Sequence, residues 1–285
     1  MAKRGVTTTS AFEVGEEDNH MRTCEVGENA VRFFQSTKPP WRVDVKYDGN
    51  RQLLQFPDGT VLDAEAVASD GKQNDLYSLG KGVGAYKVFD IPWFEGTDLR
   101  GQTLNERLQL LEKKLLTLEK PQLQRVETLV IADSIAAVIS ARDNAIARGF
   151  EGIVVKPPFS PYADNMWLKI KKTLTAEVVV LGIIKTESWV KTHIPHSLLI
   201  GYWDSEARTF KQFGRVGAAK GKFNWREIAE DALKEVVIED DVCIYVRPKI
   251  VLEVEYTQAL SHGFREPRIV RLRRGKMLQD CLKTW

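Results

Sequence analysis

The run Trp41-Arg42-Val43-Asp44-Val45-Lys46 alternates apolar and polar residues, so it can only settle as a strand with Asp44 and Lys46 on one face. Asp48-Gly49 supplies a turn, and Arg51 opens a second strand, Gln52-Leu53-Leu54-Gln55-Phe56. A lysine closing a strand, followed by a carboxylate, a glycine and an arginine, is a compact charged cluster. Such a lysine is a nucleophile only as the free amine. At an ordinary pKa of ~10.4 only about four parts in ten thousand are neutral at pH 7, so attack on phosphorus needs burial or neighbouring positive charge. Arg51 is a neighbour of that kind. The same six residues also fit a plain surface hairpin, and the rest of the chain has to decide.

With 285 residues the chain is long enough for two domains, each with its own core. Hydrophobic content of 43% and charged content of 28% are those of a soluble globular protein. A net charge of +2 means that any affinity for nucleic acid must come from local clusters. Cys24, Cys243 and Cys281 are far apart and form no CxxC pair, which indicates neither a zinc site nor a disulfide framework and fits a reducing compartment. The first ten residues hold basic side chains but no apolar segment, and the longest apolar run, Val178 to Ile184, is too short to span a bilayer. An intracellular, cytoplasmic protein is expected.

Residues 1–28 are polar and weakly patterned and read as a flexible arm. After the turn Phe56-Pro57-Asp58-Gly59-Thr60, the strand Val61 to Val67 is expected to carry Asp63 and Glu65 on an open face, solvated or bound to a cation. Lys87 to Ile91 reads as a short strand closed by Pro92. Leu104, Leu108, Leu111, Leu115 and Leu118 recur at helical spacing, and a second helix is bounded by Ser134 and Gly149. Glu151 stands at the mouth of the buried-type strand Gly152-Ile153-Val154-Val155-Lys156. In Trp167-Leu168-Lys169-Ile170-Lys171 the two lysines share a face, and a paired lysine face beside carboxylates suits a nucleoside phosphate with a divalent metal. Beyond about Thr175 come strands at 177–184, 197–203, 209–216 and 249–256 with one helix at 225–236, the pattern of a small antiparallel barrel. The segment Arg265 to Lys276 holds six basic residues in twelve, a density that fits phosphate contacts.

Taken in order, Lys46-Tyr47-Asp48-Gly49-Asn50-Arg51, Leu62-Asp63-Ala64-Glu65, Val88-Phe89-Asp90, Glu151 to Lys156, Trp167 to Lys171 and Arg271-Leu272-Arg273 resemble motifs I, III, IIIa, IV, V and VI of the ATP-dependent DNA ligases. The resemblance covers nearly all of the chain beyond about Val31. It implies an α+β fold: a nucleotidyltransferase domain of ATP-grasp-like antiparallel sheets with helices at 29–173, then an OB-fold β-barrel at 174–285. By the same resemblance, Lys46 attacks the α-phosphate of ATP to form a lysyl-adenylate. Asp44 takes the adenine amino group, and Phe89 stacks on the base. Arg51 touches the ribose and the reacting phosphate, while Asp48 helps to organise the reacting ends. Glu65 and Glu151 serve the ribose and a divalent metal, expected to be Mg²⁺. Lys169 and Lys171 hold the AMP phosphate, and Arg271, Arg273 and Lys276 orient the leaving pyrophosphate.

The implied partner is nicked duplex DNA, joined by a monomer in replication, repair or recombination. An RNA ligase, an RNA-capping guanylyltransferase and a non-catalytic nucleic-acid-binding relative are the alternatives. Asp44 favours adenine, because a carboxylate accepts from an exocyclic amino group and opposes the carbonyl of guanine. Two departures stand out. Lys46 and Glu65 are only 19 positions apart, with no segment resembling motif Ia, and Gly275 takes a position that is usually acidic.

Overall fold

Residues 28–219 and 223–285, with the short stretches 13–14 and 24–25, are described by a computed structural model. The chain divides into two compact units, Met1–Lys172 and Thr173–Trp285. The arm expected over residues 1–28 lies outside the described residues apart from its two short strands and the first residue of α1.

Unit 1 begins with β1 (Glu13–Val14), β2 (Cys24–Glu25), α1 (Glu28–Ser36), β3 (Trp41–Lys46), β4 (Asn50–Gln55), β5 (Val61–Val67) and β6 (Ala85–Phe94). It continues with β7 (Thr97–Asp98), α2 (Leu104–Leu118), β8 (Leu123–Arg125), β9 (Thr128–Ala132), α3 (Ile135–Ala147), β10 (Gly152–Lys156) and β11 (Leu168–Lys171). Two sheets result. One runs β1-β4-β5-β6-β7 with β8 beside β6, and the other runs β2-β11-β10-β3-β9. Both helices start on side-chain caps: Thr103 with Glu106 forms a capping box for α2, and Ser134 caps α3. Leu104, Leu108 and Leu111 of α2 pack on Leu62, Ala64, Val88 and Ile91 of the first sheet. Val138, Ala141 and Ala145 of α3 pack on Val43, Val45, Ile153, Val155 and Leu168 of the second.

Pro92 does not close its strand, as the sequence suggested; β6 runs through it to Phe94. Asp63 lies opposite Asp90, and Val61 lies opposite Trp93, so Ile91 and Pro92 together face the single residue Leu62. That bulge spares Pro92 a ladder bond it could not donate. A second irregularity follows at once. Ala64 pairs with Val88, which leaves Phe89 as the extra residue of β6.

Alternation in β5 is unbroken, but the face expected to be open is covered at Asp63 by Arg51 and Tyr162. Asp63 is not on an open face but fully buried. Next to it Asp90, also fully buried, receives Nε and Nη2 of Arg107 at 2.8 and 2.7 Å. Arg107 further donates to the carbonyls of Gln102 at 2.7 Å and Ser160 at 3.2 Å, which fastens α2 to the sheet and to the loop before β11.

Unit 2 contains β12 (Leu174–Ile184), α4 (Glu187–Thr192), β13 (Leu198–Asp204), β14 (Thr209–Val216), α5 (Trp225–Ala232), β15 (Val236–Glu239), β16 (Cys243–Val246) and β17 (Val251–Tyr256). The hairpin β18 (Gln258–Leu260) and β19 (Gly263–Arg265) and the strand β20 (Arg268–Leu272) complete it. The helix expected to reach residue 236 ends at Ala232, because Val236-Val237-Ile238 pairs with β16 instead. β12 bonds to β13, β16 and β17 in turn, and β17 to β20. A bridge between Ala219 and Ile269 brings the segment after β14 against β20. Val178, Val180, Leu198, Ile200, Leu252 and Ile269 fill the interior. Cys243 and Cys281 are free and buried. Among the described residues no helix is long and apolar enough to cross a membrane.

Truncating one partner of a buried ion pair strands the other in the core. Arg107→Ala is therefore expected to cost about 3–5 kcal/mol in urea unfolding. A loss below about 1 kcal/mol would mean that the Asp90 pair does not hold α2 in place.

Candidate active site

Three strand ends come together at Gly152, which lies opposite Lys46 of β3 on one side and Lys171 of β11 on the other. A Cβ at Gly152 would meet the carbonyl oxygen of Ile170 at 2.1 Å, and its φ of +156° disfavours a side chain, so only glycine lets the three strands draw level. Glu151, just before it, is buried and reaches both lysines. Its Oε2 lies 2.5 Å from Lys46 Nζ and its Oε1 lies 3.2 Å from Lys171 Nζ. Lys169, also on β11, stands opposite Val154, whose other neighbour is Asp44. Burial, helped by the charges of Lys46, Lys171 and Arg51, holds the Lys169 amine below the ordinary lysine range, with Glu65 opposing. Lys46, Glu65, Glu151, Lys169 and Lys171 thus form one cluster.

Arg51 stands opposite Glu65 in the β4–β5 ladder, but its guanidinium turns to Asp63. Nε and Nη2 meet the Asp63 carboxylate at 2.9 and 2.5 Å, and the Tyr162 hydroxyl donates to the same carboxylate at 2.6 Å. Burial works against the charge of Arg51; the attraction of Asp63 outweighs it and keeps the guanidinium firmly protonated. The expectation that Asp63 is solvated or cation-bound is therefore corrected: it is spent on Arg51 and Tyr162. The bulge at Phe89 aims its ring between two cations, with Arg51 Cζ and Lys156 Nζ each 5.3 Å from the centroid. Trp167 meets the same ring edge-on at 6.0 Å.

Asp44 is buried and receives the Thr128 hydroxyl at 2.8 Å, Arg42 Nε at 2.9 Å and Lys156 Nζ at 2.7 Å. Burial alone would raise its pKa; Lys156 and Arg42 reverse that and keep the carboxylate charged. Lys156 is itself buried, 4.3 Å from the Trp167 ring centroid. Sequence reasoning assigned nothing to Lys156, Arg42 or Tyr162, although the period of two already put Arg42 on the face of Asp44 and Lys46. Asp48, expected to help organise the reacting ends, lies two residues beyond Lys46 in the turn between β3 and β4. It is buried, accepts the backbone N–H of Asn74 at 2.9 Å, and donates its own N–H to Gly71 O at 2.8 Å.

No group of three His, Cys, Asp or Glu side chains able to hold a metal occurs among the described residues. Glu65 is largely buried, and that burial, with Glu151 adding to it and Lys46, Lys169 and Arg51 opposing, pushes its carboxyl up to about 7. Two carboxylates do not make a protein cage for a divalent cation. They do suit Mg²⁺, which takes one or two carboxylates and fills its remaining positions with substrate phosphates and water.

On unit 2, Glu177 and Glu253 lie directly opposite each other across β12 and β17. Glu253 holds Arg271 at 2.8 Å and Arg273 at 2.9 Å, while Glu177 holds Arg273 at 3.0 Å and Lys276 at 2.8 Å. The three cations expected to act on pyrophosphate thus form one group on this unit, held by two carboxylates.

Residues 53–171 match the ATP dependent DNA ligase domain. The chain is 27% identical over 313 aligned positions to a DNA ligase of Archaeoglobus fulgidus, covering 91% of this chain and 56% of that protein. It is 28% identical over 299 positions to the multifunctional non-homologous end joining protein LigD of Pseudomonas aeruginosa, covering 83% and 35%. The chain thus spans about half or less of the length of these curated relatives. A solved structure from a study of DNA binding with a minimal scaffold in Lig E DNA ligases superposes with a TM-score of 0.63 at 14% identity, covering 90% of this chain and 99% of that one. That likeness shows a shared mixed α/β fold.

A carboxyl that keeps its proton to about pH 7 when folded, but loses it near 4.5 when unfolded, makes stability fall as pH rises between those values. In metal-free, nucleotide-free buffer, Glu65→Gln is expected to flatten that decline and to exceed the wild type by about 2–3 kcal/mol above pH 7. Parallel wild-type and mutant melting curves from pH 5 to 8 would contradict the burial of Glu65 beside Glu151.

Proposed function

We propose that this chain, whose residues 53–171 match the ATP dependent DNA ligase domain, seals 5′-phosphate/3′-hydroxyl breaks in duplex DNA. The observation that carries the reading is the cluster of Lys46, Glu151, Lys171, Lys169 and Glu65 around three level strand ends. In the proposed first step the Lys46 amine attacks the α-phosphorus of ATP, a P–N bond forms, and the P–O bond to pyrophosphate breaks. The proton that Lys46 must shed has an acceptor in reach, since Glu151 Oε2 lies 2.5 Å from Nζ. A DNA 5′-phosphate then takes AMP from Lys46, and a 3′-hydroxyl displaces AMP to close the strand.

Catalysis of this kind depends on positioning and on positive charge spread over phosphate oxygens. Lys169 and Lys171 supply that charge to the α-phosphate, and Arg51, held by Asp63 and Tyr162, would add its charge on the ribose and phosphate side. Phe89 offers the base a ring to stack on, and Asp44 a charged acceptor for the adenine amino group. Glu65 and Glu151 would hold Mg²⁺ together with the nucleotide's phosphates, where the ion supplies charge neutralisation. We read residues 29–173 as the adenylating domain and 174–285 as an OB-fold barrel, supported by the β14-β13-β12-β17-β20 order and the Ala219–Ile269 bridge. Arg271, Arg273 and Lys276 would exchange Glu177 and Glu253 for the leaving pyrophosphate when the barrel closes, a lid cycle of the usual type.

Incubation with α-labelled ATP and Mg²⁺ is expected to label the wild type and to leave Lys46→Ala unlabelled, at least a hundredfold lower. A chase with nicked duplex DNA should move the label through DNA-adenylate to a sealed product. Label taken only from GTP, or released only by RNA ends, would replace this reading with capping or RNA joining. No label would remove the transferase reading.

A further inference from the structure

Two buried carboxylates in unit 1 are used on one loop that the cluster around Lys46 does not need. Asp48, two residues beyond Lys46, accepts the N–H of Asn74 and donates to Gly71 O. Asp75 accepts the Ser69 N–H at 3.0 Å, the Ser69 hydroxyl at 2.7 Å and the Gly71 N–H at 3.1 Å. Gln73 donates its N–H to Gly149 O at 2.9 Å, which ties the loop to the segment leading into Glu151. A Cβ at Gly71, where φ is +74°, would lie 2.4 Å from the Tyr47 ring. Burying a carboxylate is expensive unless its bonds return the cost, and here Asp48 and Asp75 both bond to the loop. The loop is therefore built into both strand ends that carry the reactive cluster.

Its outer half carries no comparable packing. Gly80 to Gly84 are all exposed, and a Cβ at Gly80 or Gly82 would meet nothing within 4 Å. Lys81 stands at this tip. Lys72 lies over Gly149, paired at 3.0 Å only with Asp70, and both of those side chains are about half exposed. An exposed pair of that kind is worth little and exchanges readily for another anion. Lys87, whose ammonium lies 5.1 Å from the Tyr47 ring centroid, adds a third cation close by.

We propose that the loop from Gly71 to Gly84 is a docking surface for the phosphate backbone of duplex DNA beside the break, with Lys72 and Lys81 as its phosphate ligands. Glycines at the tip let a sugar-phosphate strand approach the backbone closely, and Asp48 is the positioning residue that aligns this surface with Lys46. The inference deepens the reading of the cluster as a DNA-joining site and rests on it.

The test compares full-length wild type with Lys72→Ala/Lys81→Ala in binding a nicked duplex across a salt series. Each lost phosphate contact lowers the slope of log K against log salt by about 0.9, so a drop of about 1.8 is expected, with lysyl-adenylation by ATP unchanged. An unchanged slope and affinity would overturn the proposal. Lys72→Arg/Lys81→Arg should restore the slope, and failure to do so would also count against phosphate contact. Should the wild type take no label from ATP, the reading of the cluster fails, while the slope still decides whether this loop meets DNA.

Discussion

The contact on which the rest of the site depends is the carboxylate of Glu151 between Lys46 and Lys171. It joins the ends of β3, β10 and β11, and it does so only because Gly152 has no side chain to hold the strands apart. A lysine at a free strand end would keep four rotatable bonds and about 2 kcal/mol of rotamer entropy. Here Nζ is fixed before any substrate arrives. Positioning that is settled during folding does not have to be repeated at each turnover.

Around that contact three further buried carboxylates brace the sheets of unit 1, each beside at least one cation. Asp44 has Lys156, Arg42 and Thr128; Asp63 has Arg51 and Tyr162; Asp90 has Arg107. Buried ion pairs seldom add much net stability, because desolvation offsets the attraction, but breaking one is costly. Their contribution here is geometric. They fix which way Arg51, Phe89 and Lys156 point, and a bulge at Phe89 does the same for the ring.

Much of this frame was legible in the residues. The period of two in Trp41 to Lys46, the leucine spacing of α2, and the Ser134 and Gly149 boundaries of α3 all correspond to elements of the structure, because local pattern and tertiary burial agree there. The cluster of Lys46, Glu65, Glu151, Lys169 and Lys171 could be listed from the sequence, but its wiring could not. Asp63 and Glu65 look equivalent by alternation, and the long-range partners that separate them, Arg51 and Tyr162 on one and Lys46 and Glu151 near the other, are invisible to that pattern. Lys156 reads as the tail of a strand until its partner Asp44, on the adjacent strand and two residues along from Arg42, is known. Pattern carried the helix from residue 225 on to Val236, and pairing of Val236 with β16 overrode it.

The most direct measurement is peptide mass mapping of the protein after incubation with ATP and Mg²⁺. The account predicts one AMP, acid-labile as a P–N bond must be, on the peptide containing Lys46 and nowhere else. AMP on another residue, or a protein that binds ATP and never gains mass, would contradict it.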